Sequence, residues 1–237
     1  MSETEQSKEQ GPLMDALTYP VRGSGRILLV IGAVLSAVIG GAAGFSLFGF
    51  IALCLGFAYF NAFYFSIVES TVSGNDEPPD WPDISDLLGD MIVPMIRSIG
   101  VWLICMLPLI VMLAIPMEEV PILKILLVLA GLGWAVLYFP MAILNVIVSN
   151  EMIKALPHEV IPRIRAAMPS YLAIAGLLAA AFVVSLIVTK FLGRVPYLGG
   201  LLSAGGALYF SMAQARLAGT FYRKHLEEAE AAEREDV

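Results

Sequence analysis

The sequence predicts an all-α, polytopic membrane bundle of six transmembrane helices, arranged as three pseudo-repeated hairpins that are each preceded by an amphipathic interfacial elbow helix. Three observations predict it. Hydrophobic residues make up 58% of the 237 and charged residues 15%, against about 45–50% and 25% in soluble domains. The charges are segregated, so that Ile27 to Val68 is a run of 42 residues without Asp, Glu, Lys, Arg or His. Finally, a pair of anchors recurs three times. A proline followed by an arginine precedes each odd span (Pro20 and Arg22, Pro94 and Arg97, Pro162 and Arg165), and a Tyr-Phe pair falls late in each even span (Tyr59-Phe60, Tyr138-Phe139, Tyr209-Phe210).

A bilayer core of about 30 Å takes roughly 20 helical residues to cross, so 42 uncharged residues hold two spans and a turn, placed between Gly40 and Phe48. Uncharged stretches at 98–117, 125–150, 166–189 and 195–215 supply one span each. The proline-to-tyrosine separations are 39, 44 and 47 residues, and LYFPMA (137–142) and LYFSMA (208–213) are close copies. The repeats fall at about 13–75, 83–150 and 157–222, within one membrane domain over 13–224. Residues 1–12 form a predicted disordered cytoplasmic tail and 225–237 a charged one. Two-span units keep one orientation, so the implied symmetry is a pseudo-threefold axis along the membrane normal, unlike the inverted repeats of many transporters.

Six spans put the N-terminus, 69–97, 151–170 and the C-terminus on one side, with eleven basic residues against three (Lys124, Lys190, Arg194) at the hairpin tips. Lys and Arg near span ends set orientation. Both termini are therefore expected in the cytoplasm, in the cell (inner) membrane. The acidic start MSETEQSKEQGP lacks the basic n-region of a secretory signal, which predicts no cleaved leader.

The elbows have their own pattern. From Asp83, a plausible N-cap, Ile84, Leu87, Leu88, Met91, Ile92, Met95 and Ile96 mark one helix face. Val160, Ile161, Ile164 and Met168 repeat it more weakly, and Leu13, Met14 and Leu17 begin the first unit. The prolines are expected to bend each elbow into its span. Arg22, Arg97 and Arg165 then sit as interfacial anchors able to reach phosphate headgroups. In the spans, Gly32, Ser36, Gly40 and Gly44, then Gly199 with Ser203 and Gly200 with Ala204, form small-residue ladders that permit close packing. Pro108 and Pro140 are expected to kink their spans unless neighbours supply the lost bonds.

The segment EPPDWPDISDLLGD (Glu77–Asp90), with Pro79, Trp81, Pro82 and Asp83 as its most specific part, and the opening LTYPVRGSGR (17–26) resemble an uncharacterised family of bacterial and archaeal multi-span membrane proteins. The resemblance runs from about Leu13 to Lys224 and is more distantly similar to the membrane domain attached to some glycerophosphodiester phosphodiesterases. It implies a fold and a location, and no catalytic residue can be carried over.

Chemical signatures are weak. Trp81-Pro82-Asp83 also resembles the acid loop of protein tyrosine phosphatases, but neither Cys54 nor Cys105 has the arginine that such enzymes need. The cysteines lack C-x-x-C spacing and His158 and His225 stand alone, so no metal or cofactor is expected. A basic nucleic-acid patch is missing.

The candidate site is a polar cluster near the cytoplasmic ends of the even spans, made of Asn61, Ser66 and Glu69, then Asn145, then Gln214 and Arg216. Ser66, Asn145 and Arg216 each lie seven residues past a repeat tyrosine. Polar residues at membrane depth are functional candidates by default, and the plainer reading is interhelical hydrogen bonding with Glu69 and Arg216 at the headgroups. The expected function is a non-enzymatic membrane protein that contacts lipids or partner proteins; the alternative is a transporter or channel for a small or amphipathic solute.

Overall fold

The computed structural model describes residues 11–42, 47–81, 87–114 and 121–225, and the regular structure there is helical throughout. The first hairpin tip at 43–46, Pro82 and Asp83 of the family-like motif with the N-cap assigned to Asp83, Ile84, and nearly all of both tails lie outside the described residues. There are eight helices among the described residues. They are α1 (Pro12–Thr18), α2 (Gly25–Ala42), α3 (Leu47–Val72), α4 (Val93–Ala114), α5 (Pro121–Ser149), α6 (Pro157–Ala166), α7 (Met168–Leu192) and α8 (Gly199–His225).

Among the described residues, four stretches are long and apolar enough to cross a membrane: Leu47–Val72, Leu88–Ala114, Ile122–Ser149 and Met168–Leu192. A fifth arises if the bent pair Pro12–Val21 and Gly25–Gly41 is one span. The predicted sixth, at 195–215, lies on α8, which falls short on hydropathy because it carries Gly199, Gly200, Ser203, Gly205, Gly206, Ser211, Gln214 and Arg216. The reason is packing: Met212, Ala213 and the whole stretch Ala215–Tyr222 are buried. A helix enclosed by neighbours needs small side chains rather than greasy ones.

The chain divides into two compact units, Met1–Met95 with Leu177–Val237, and Ile96–Gly176. In the first, α8 packs against α1, α2 and α3. Glycine makes two of these approaches possible. A Cβ on Gly219 would lie 2.7 Å from Thr71 Cβ and 3.1 Å from the Val68 carbonyl oxygen, and one on Gly205 would meet Ala33 Cβ at 3.3 Å. Of the glycines in the predicted ladders, Gly32 is pressed upon by Leu208 and Trp81 and Gly199 by the Gly193 backbone, while Gly40 and Gly200 face open space and Gly44 lies outside the described residues.

The first elbow forms as expected. Proline opens α1, where no donor is needed, and Pro20 sits in the 3-10 turn Tyr19–Val21. The chain then bends by 67° into α2. Gly23 has φ +46°, and a Cβ on Gly25 would strike the Pro20 carbonyl oxygen at 2.5 Å, which explains the glycines of LTYPVRGSGR.

The other two elbows correct the expectation. Leu87–Ile92 is a π-helical turn continuous with α4, and Pro94 introduces no bend. The wider i→i+5 geometry just before it leaves room for a ring that can donate no bond. Pro162 lies inside α6, and the chain breaks later, at Ala167. Pro108 and Pro140 likewise sit within continuous helices.

In the second unit, a Cβ on Gly131 of α5 would meet Leu109 Cα of α4 at 3.2 Å. The 3-10 turn Met152–Ala155 and α6 both pack on α5.

Along α3 and α5 the first half is exposed and apolar and the second half buried. Leu47, Phe48, Phe50, Ile51, Leu53, Leu55 and Phe57 give way to buried Ala58, Ala62, Phe63, Phe65, Ile67 and Val68. Ile122, Ile125, Leu126 and Leu129 give way to a core from Met141 to Ile147. Monomeric soluble proteins rarely expose apolar patches of this extent.

Candidate functional site

The helices of the predicted even spans, α3, α5 and α8, end in different ways, and the ends of α5 and α8 each hold an elbow. On α8, Arg216 is 2% exposed. Its Nε donates to Asp15 Oδ2 on α1 at 2.9 Å, its Nη1 to the Asn75 carbonyl at 2.5 Å and its Nη2 to Asp76 Oδ1 at 2.7 Å. The guanidinium carbon also lies 5.0 Å from the centre of the buried Tyr19 ring. One side chain thus fastens the first elbow and the loop after α3 to the last helix. Arg22 completes the group, donating from Nη1 to Asp15 Oδ1 at 2.6 Å and from Nη2 to Thr18 Oγ1 at 2.5 Å.

Burial by itself raises the Asp15 carboxyl, but the hydrogen bonds and charges of Arg216 and Arg22 outweigh it and hold the group below the usual carboxylate range. Burial pushes the Tyr19 phenol up to about 12, against the pull of Arg216. Asp15 is therefore a fixed anion between two cations and Tyr19 a neutral ring. The arrangement fastens helices, and it leaves Asp15 poorly placed to exchange protons.

On α5 the corresponding position is Asn145, with no exposed surface. Its Oδ1 accepts from Arg163 Nη1 on α6 at 2.9 Å, and its Nδ2 donates to the Lys154 carbonyl at 3.3 Å. On α3, Ser66 is half-buried.

The repeat tyrosines follow the same rule. Tyr209 donates to the Leu17 carbonyl on α1 at 2.5 Å and Tyr138 to the Ala155 carbonyl before α6 at 2.5 Å. Tyr59 instead packs, as Met95 does, against the buried cluster of Ala58, Ala62 and Met91, the last of these in the π-helical turn.

Of the remaining cluster, Asn61 turns back on its own helix, donating to the Phe57 carbonyl at 2.8 Å. Glu69 is exposed and Gln214 half-buried. Within each unit the candidates have separate partners: Arg216 is joined to Asp15 and Asp76, Asn145 to Arg163 in the other unit, and Asn61 to its own helix. Asp15, Asp76 and Arg163 escaped the sequence reading. Asp15 left one signal, as the only acid between Leu13 and Val68.

Of the family-like motif, Trp81 stacks on Tyr59 with ring centres 5.2 Å apart and on Phe63 at 4.5 Å. Its neighbour Pro79 is half-buried. Among the headgroup anchors, Arg22 pairs with Asp15, Arg97 donates to Asn150 Oδ1, and Arg165 is exposed. Among the described residues no three His, Cys, Asp or Glu side chains gather as a metal-binding group. No family model, curated protein or solved structure matches the chain.

Proposed function

We propose that this chain is a six-span, three-hairpin protein of the cell membrane with both termini in the cytoplasm, which acts without enzymatic chemistry by contacting lipids or partner proteins at the cytoplasmic face. The observation that carries this reading is the mutual satisfaction of the strongest charges at the even-helix ends: Arg216 is consumed by Asp15, Asn75 and Asp76. Charges that line a solute path have to meet the solute. These meet each other.

The threefold repeat is supported by the direction of the tyrosine contacts. Tyr138 of the second repeat reaches the elbow of the third, and Tyr209 of the third reaches the elbow of the first. Tyr59 of the first packs on a cluster that includes Met91 from the elbow of the second. Within each unit, a repeat tyrosine is thus directed at the elbow that follows its own repeat, which supports reading the three hairpins as copies of one design. Membership in the uncharacterised multi-span family belongs to the same reading.

Reconstitution tests the function. Liposomes containing the purified protein and loaded with potassium chloride, glycerol or carboxyfluorescein are expected to leak no faster than protein-free ones. Protein-dependent flux of any of these would replace the reading with a transporter or channel. Reporter fusions in the 193–198 turn and after His225 are expected to report opposite sides, the second cytoplasmic; a cytoplasmic 193–198 turn sinks the six-span topology.

A further inference from the structure

The three arginines that follow the elbow prolines have unlike partners. Arg22 is neutralised by Asp15 at 2.6 Å. Arg97 is held by a neutral group, the side-chain amide oxygen of Asn150, and Arg165 is exposed with no carboxylate partner among the described residues. A guanidinium fixed by an amide keeps its full charge for a further ligand, whereas one fixed by a carboxylate has spent it.

The setting of Arg97 is built. Asn150 adopts φ +60°, a left-handed conformation that asparagine tolerates better than most residues. The Met152 methyl presses on Gly100 one turn beyond Arg97, holding the start of α4 against this turn. Around it, the elbow end of the unit Ile96–Gly176 carries four basic residues, Arg97, Lys154, Arg163 and Arg165, against two acids, Glu151 and Glu159. Glu159 is engaged by Lys154 at 3.1 Å. Exposed Ile153 and Met168 add apolar surface beside these charges. The elbow end of the other unit presents exposed Asp76, Glu77 and Asp80 instead.

We infer that the elbow end of Ile96–Gly176 docks the headgroups of anionic phospholipids, with Arg97 and Arg165 as the phosphate-binding residues. A basic surface flanked by apolar side chains at the level of the elbows fits a lipid whose phosphate and acyl chains enter water and hydrocarbon respectively. This rests on the membrane reading above and names its lipid class. Its failure is separable, because a protein that leaks no solute can still show no lipid preference.

The experiment measures retention of phosphatidylglycerol relative to phosphatidylcholine on the full chain in detergent, by native mass spectrometry. Wild type is expected to prefer phosphatidylglycerol. Arg165→Gln and Arg97→Gln should each lower that preference about fivefold, the change that corresponds to ~1 kcal/mol per basic residue at an anionic surface. Arg22→Gln serves as the matched control and should leave the preference unchanged. Because Arg165 is exposed, its variant keeps the test valid if Arg97→Gln misfolds. Equal retention in wild type and Arg165→Gln overturns the proposal. So does an equal loss in Arg22→Gln, or displacement of bound lipid by excess inorganic phosphate, which would make the site one for the free anion.

Discussion

Arg216 is the side chain whose loss this protein should tolerate least. Truncation to alanine strands Asp15, an anion removed from water, with Arg22 as its remaining cation. Breaking a buried charge pair from one side costs about 3–5 kcal/mol, so Arg216→Ala should lower the thermal and denaturant midpoints of the purified protein steeply. Loss of activity in that variant would accordingly report loss of fold first. Asp15 gives the pH signature of the same group. Its folded value lies below the ordinary carboxylate value of about 3.9, so its contribution is complete above that value and is lost as pH falls through the lower folded one. Melting curves from pH 7 to 3 should show this acid-side loss in wild type and a smaller one in Asp15→Asn.

At the scale of elements, helix contact is decided by a few glycines, and ladder spacing identifies only some of them: it includes Gly32 and the open Gly40 and leaves out Gly219. Gly219→Ala should destabilise by about 1–3 kcal/mol, because the added methyl meets the Thr71 side chain and the Val68 carbonyl across α3. Gly40→Ala, with open space before it, should stay within about 1 kcal/mol of wild type. Chemical denaturation of both variants separates the cases, and an equal cost for both would remove α3 as the cause.

Much of the element order was legible, since uncharged runs locate α2, α3, α4, α5 and α7 and apolar periodicity locates α6. The end of α8 was not. A scan for uncharged residues stops at Arg216, yet the helix continues to His225 because the charge is neutralised by Asp15, 201 residues earlier. No local pattern encodes a partner that distant. The failed bends at Pro94 and Pro162 have a related cause. Proline reads as a stop in sequence, but a π-helical turn gives the Pro94 ring room, and α6 runs through Pro162 and ends only four residues later.

For the whole molecule, the first unit depends on joining the two ends of the described chain. The α1 elbow meets α8 through Asp15 to Arg216 and Leu17 to Tyr209, so removing residues 1–21 should unseat both contacts at once. Folded protein recovered from membranes, followed by size-exclusion chromatography in detergent, should fall sharply for this truncation and little for removal of 1–10 alone. Equal recovery of the two would show that the elbow is dispensable to the unit.

That long-range pairing also fixes a timetable for synthesis. At about 5–20 residues per second the ribosome delivers Arg216 roughly 10–40 s after Asp15. Throughout that interval the first elbow exists without its cation, while Arg22, translated seven residues later, is already at hand. The nearby arginine can act as a temporary counter-ion that keeps the carboxylate charged until the final helix arrives, which makes α8 the step that completes the first unit.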